Sequence, residues 1–127
     1  MFTHLIPLTK KSENEADKRA LAIFQVIRDS VKSILEVPDT DIITVLHKCT
    51  VKRTDPYLFT LEKSSGKRII PDVILSMHTS DKEKLDLNEN LLRETLERDW
   101  KKFVGEDLAI EIWIDDFRVW GFVGLQI

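Results

Sequence analysis

Cysteine is nearly missing. Cys49 stands alone among 127 residues, so no disulfide can form within the chain. That suits a reducing, cytoplasmic setting, and it leaves no Cys/His ligand spacing of the zinc type. Long apolar runs are missing too. None approaches the ~20 residues that a membrane helix needs, so no membrane association is expected. The opening MFTHLIPLTKK lacks the basic segment and long apolar core of a signal peptide. Nor is there a long basic block. The net charge is −3, and Lys10–Lys11 and Lys67–Arg68 are short, solvated clusters, so no nucleic-acid partner is expected.

What remains is a chain with 43% hydrophobic and 32% charged residues, enough for one packed core with a charged surface. A single domain over 1–127 is expected. Phe2–Leu8 reads as a strand, with Pro7 favouring its end or an edge. Ser12-Glu13-Asn14-Glu15 has the form of a capping box. After it, Ala20, Phe24, Ile27, Val31 and Ile34 recur at helical spacing, with Leu21 and Leu35 widening the stripe. Pro38 closes this helix. Asp41–Leu46 is β-branched and apolar and reads as a buried strand.

Residues 48–67 are turn-rich, with a short strand at Tyr57–Leu61. The plan then repeats. Ile69–Met77 is an apolar strand with Pro71 at or near its start. Asp86-Leu87-Asn88-Glu89 offers a second cap. Leu87, Leu91, Leu92, Leu96, Trp100 and Phe103 form a second stripe, Gly105 sits at a left-handed cap, and Leu108–Ile114 is a strand. Two halves, 1–50 and 68–115, therefore predict an α/β (α+β) fold. In it, duplicated β-α-β units form a four-stranded mixed sheet with two helices on one face. The helix-free face must pack on something, and a second copy of the chain is the simplest candidate.

Three segments carry a family likeness. They are Lys18-Arg19-Ala20-Leu21-Ala22, Val37-Pro38-Asp39-Thr40-Asp41 and Trp120-Gly121-Phe122-Val123-Gly124. In order and spacing they resemble the tautomerase superfamily, which includes macrophage migration inhibitory factor-like proteins, 4-oxalocrotonate tautomerases and malonate semialdehyde decarboxylases. The resemblance covers essentially the whole chain. It implies a homotrimer, with the tail 116–127 at a subunit interface and sites at subunit borders near the start of the first strand. It implies an isomerase or tautomerase acting on a small keto or dicarboxylic acid, with no cofactor.

The family base is an N-terminal proline. Here the second residue is Phe2, a side chain expected to block removal of Met1, and Pro7 has no free amine. The α-amine of Met1 is the remaining candidate base. Asp41 matches the position of a family acid, though a turn acid at a strand start is the reading to prefer. Arg53 and Arg68 are candidate carboxylate binders on or beside the long loop. Their alternative is plain surface, and Met77-His78-Thr79-Ser80 stands where the decarboxylase branch carries its arginine pair. Trp120 and Phe122 either wall an apolar pocket or pack an interface. His4, His47 and His78 fall on three predicted strands with no ligand spacing, which reads as core or edge histidine. Cys49 reads as an inert thiol.

Two further readings stay open. One is a non-catalytic ligand-binding or interaction protein on the same trimeric scaffold. The other is an unrelated ferredoxin-like two-repeat domain.

Overall fold

A computed structural model describes residues 1–49, 60–61, 68–69, 71–79 and 81–116. Its elements run β1 (Phe2–Pro7), α1 (Lys10–Lys18), α2 (Ala20–Leu35), a 3₁₀ turn (Asp39–Asp41), β2 (Ile43–Leu46), β3 (Thr60–Leu61), β4 (Arg68–Ile69), β5 (Val73–Thr79), α3 (Lys82–Asp99), a π turn (Trp100–Val104) and β6 (Ile110–Asp116).

The main sheet has the order β2-β1-β5-β6. β1 pairs with β2 in parallel, β5 with β6 in parallel, and β1 with β5 antiparallel. Each parallel pair is bridged by helix, so two β-α-β units meet along β1 and β5. The duplicated plan and the mixed four-stranded sheet are as the sequence predicts. β3 and β4 form a separate small ribbon, Thr60 opposite Ile69 and Leu61 opposite Arg68.

Side chains alternate across a strand, so one parity faces the helices. Leu5, Val73, Leu75, Met77 and Ile112 take that side and share a core with Ile23, Ile27, Val31, Leu92, Leu96 and Trp100. Each such aliphatic side chain contributes about 1.5–3 kcal/mol on full burial. The other parity carries Phe2, His4 and Ile6, with Ile74, Ser76 and His78 beside them in register.

Several local expectations are corrected. The first helix begins three residues earlier than Ser12-based capping implies. Thr9 is the N-cap, and its side chain accepts from the Ser12 amide, because its extended backbone frees the hydroxyl to turn inward. The helix is also two helices, broken at Arg19 (φ −107°, ψ 15°). Leu21, just past that break, is 87% exposed and adds nothing to the buried stripe. α2 stops at Leu35 with Glu36 in the left-handed region, before Pro38 is reached.

α3 is capped by Asp81, which accepts from the Lys84 amide, so Asp86 and Glu89 lie well inside it. Its buried face is Leu85, Leu92 and Leu96, continued by Trp100 and Val104 of the π turn. Leu87 sits about 200° around from Leu85 at ~100° per residue and points away. Leu87, Leu91 and Phe103 are exposed. Gly105 does take positive φ, but at φ 129° and ψ 148° it is extended rather than left-handed helical. Its N–H closes a wide turn onto the Trp100 carbonyl.

β2 is an edge strand of half-exposed residues, not a buried one, because nothing pairs with its outer side among the described residues. The helix-free face is not bare throughout. Ile74, Ser76 and His78 on β5 are almost fully buried, whereas Ile43, Val45 and Trp113 on the two edge strands remain open.

Candidate functional site

Parallel pairing of β1 with β2 sets the start of β1 beside the segment entering β2. Phe2 lies opposite Ile43, and the Ile43 amide donates to the Met1 carbonyl at 3.0 Å. The 3₁₀ turn then presents the Asp41 carbonyl, which accepts from the α-ammonium group of Met1 at 2.8 Å. The Thr3 hydroxyl ties the same junction, reaching the Ile43 carbonyl at 3.0 Å and the Thr44 hydroxyl at 2.7 Å. The Met1 side chain packs against the core.

Burial depresses the Met1 amine below its ordinary value of 8.0, and the nearby Asp41 carboxylate partly opposes that by favouring the charged form. Burial dominates, so more of this amine is unprotonated near neutral pH than in a free chain terminus. An unprotonated amine is what a proton-abstracting base requires.

On the helix-free face, aromatic rings run in a row from the same strand end. Phe2 stacks on His78 with centroids 5.5 Å apart, and His78 stacks on His4 at 5.2 Å. His4 Nδ1 lies 2.8 Å from His47 Nε2. Burial, and then the neighbouring His47, hold His4 below the usual histidine range.

The structure thus brings two of the six sequence candidates together, Met1 and Asp41. Arg68 lies in the β3–β4 ribbon, and its side chain is outside the described residues, as are Arg53, Trp120 and Phe122. The histidines had no spacing signal in sequence. What unites them is strand parity: His4 shares the even positions of β1 with Phe2, and register sets His78 opposite Phe2.

Among the described residues no cluster of three or more His, Cys, Asp or Glu could hold a metal ion. None of the described helices is long and apolar enough to cross a membrane. A shallow depression bordered by Glu94, Glu97, Arg98, Lys101, Lys102 and Glu106 mixes both charge signs and includes none of the candidates.

Solved structures share this chain's fold. The FG41 malonate semialdehyde decarboxylase inhibited by 3-bromopropiolate superposes with a TM-score of 0.59 at 13% identity, covering 91% of this chain and 82% of that one. The chain shares the fold of this decarboxylase structure. A second malonate semialdehyde decarboxylase, described with decarboxylase and hydratase activities, gives 0.55 at 10% identity over 91% of this chain and 85% of its own. Pt0534 inactivated by 2-oxo-3-pentynoate gives 0.52 at 14% identity over 92% and 86%. No protein-family model matches the chain, and no curated protein matches it in sequence. The shared fold is therefore carried by strand order and helix packing, at 10–14% identity.

Proposed function

We propose that this protein is a tautomerase-superfamily member that isomerises a small keto or dicarboxylic acid, with the Met1 α-amine in place of a proline base. The observation that supports the reading most is the Met1 amine itself. It is partly desolvated, its pKa is lowered, and it is fixed by Asp41 at the start of the first strand. In the proposed step the free amine removes a proton from the enol hydroxyl of the substrate and the resulting ammonium returns one to the neighbouring carbon. Enol and keto forms then interconvert with no net change in protons. Arg53 or Arg68 would hold the substrate carboxylate, and Trp120 and Phe122 would wall its apolar part. A cytoplasmic homotrimer fits this reading. Ile43, Val45 and Trp113, open on the helix-free side, are the groups that sister copies would cover.

The test is turnover of phenylpyruvate or 2-hydroxymuconate by protein whose intact mass retains Met1, before and after chemical blocking of the α-amine. Turnover that disappears on blocking supports the base. Background rates with both substrates overturn it.

A second reading has its own support. The Met1 side chain packs on the core while its amine is bonded to main chain, which is also how a purely structural terminus is anchored. On that reading the protein binds a small carboxylate without converting it. Ligand-induced thermal shifts with no turnover are the outcome that favours it.

A further inference from the structure

His4 and His47 meet where β2 ends. The His47 amide donates to the Leu5 carbonyl at 2.9 Å, the last backbone bond from this edge to β1 among the described residues. Just above it the two imidazoles face each other, His4 Nδ1 to His47 Nε2 at 2.8 Å with centroids 5.1 Å apart. A contact of that length is one N–H···N hydrogen bond, in which one ring donates and the other offers a lone pair. The arrangement accommodates two neutral rings, or one neutral and one charged ring. It does not accommodate two charged rings, because both facing nitrogens would then carry hydrogen and both rings positive charge.

We propose that the His4–His47 pair is a proton-operated latch. It holds the C-terminal end of β2 to β1 while at most one of the two rings is charged, and it releases that end when both are charged. The latch sits at the end of a short edge strand whose other side-chain ties, through Thr3, lie at its opposite end. β2 spans only Ile43–Leu46, its outer side has no strand partner among the described residues, and Ile43 and Val45 are open. Beyond His47 the next tie is the Cys49 amide, which donates to the Glu13 carboxylate of α1 at 2.8 Å.

Groups of both charge signs surround the pair. From β5, His78 stacks on His4 with planes 9° apart. From β6, Asp115 is the register partner of His78. At the start of β1 lie the Met1 ammonium and the Asp41 turn. Glu13 and its partner Lys10 belong to α1. The lowered pKa of His4, caused by burial and then by His47, agrees with a pair that resists its second charge.

Amide hydrogen exchange on the full chain tests the latch. After correction for intrinsic rates, protection of the residue-47 amide should fall about tenfold or more between pH 7.5 and pH 5, the change equivalent to one pKa unit of coupling. The Leu75 amide at the sheet centre should hold its protection over the same range. H47Q removes one imidazole of the pair and should make protection at residue 47 independent of pH; H4Q serves the same purpose if H47Q does not fold. Constant protection at residue 47 in the native chain overturns the latch. So does an equal fall in the variants, or a parallel fall at Leu75.

Discussion

The α-ammonium group of Met1 donates to the main-chain carbonyl of Asp41 across forty positions of sequence, at 2.8 Å. The bond is made by backbone, so it survives a change of side chain at Asp41. The carboxylate acts separately, through its charge, and raises the amine's pKa against the larger effect of burial. Asp41→Asn should therefore lower the amine's pKa further. Carbamylation of Met1 by cyanate, followed by mass spectrometry across pH, should show a lower midpoint in the variant. An unchanged or higher midpoint would show that the charge is not felt at the amine.

Stability should rise with pH in stages. Met1 and His4 both have pKa values lowered on folding, from 8.0 and 6.5. Their stabilising contributions are complete above those unfolded values and shrink as pH falls below them, because the unfolded chain then binds more protons. Glu13, lowered chiefly by its bond with Lys10, and Asp107, lowered chiefly by Arg19, add losses below 4.5 and 3.8 respectively. Urea midpoints should fall steadily from pH 8 to pH 4. A midpoint that rose towards pH 5 would contradict these assignments.

Gly105 closes the turn after α3 at φ 129°, a region that side chains rarely enter. A Cβ there would lie 2.6 Å from Asp107 Oδ1 and 3.0 Å from the Arg19 guanidinium. That ion pair fastens the break between α1 and α2 to the end of α3, since Arg19 also bonds the Val104 carbonyl and Glu15. Gly105→Ala combines backbone strain with displacement of the pair. It should cost about 1–3 kcal/mol, read from denaturant unfolding. A neutral result would mean that the turn relaxes freely.

Val45 and Trp113 lie on opposite edges of the sheet, both on the helix-free side and both partly open. If sister copies cover this face, Val45→Lys places an uncompensated charge in the interface and should lower the solution mass towards one chain. The same change on an already wetted edge costs little stability. Light scattering of the two proteins separates these cases. A parent protein that is already monomeric removes the trimer.

Much of this fold was legible because alternation and helical spacing report burial directly. The two β-α-β halves, the apolar run at β5 and the positive φ at Gly105 all follow from local pattern. What failed did so for physical reasons. Leucine at Leu21, Leu87 and Leu91 is a good helix former wherever it sits, so composition alone assigned it to the wrong face. Arg19 sits at the break between α1 and α2 with its guanidinium bonded to the distant Asp107, and nothing nearby in sequence announces that. Thr9 and Asp81 displaced Ser12 and Asp86 as caps because the helices start where the strands release the chain. The candidate site was half legible. Met1 and Asp41 were found by resemblance to a family pattern, but the histidine row depends on the register between β1, β2 and β5, which no local spacing encodes.

The most direct measurement is the pH profile of kcat/KM for phenylpyruvate, on protein whose intact mass retains Met1. A base at Met1 predicts activity that rises with pH through an apparent pKa below 8.0, and moves lower still in the Asp41→Asn variant. A rate that never exceeds that of buffer, or that follows no ionisation altered by Asp41, would contradict it.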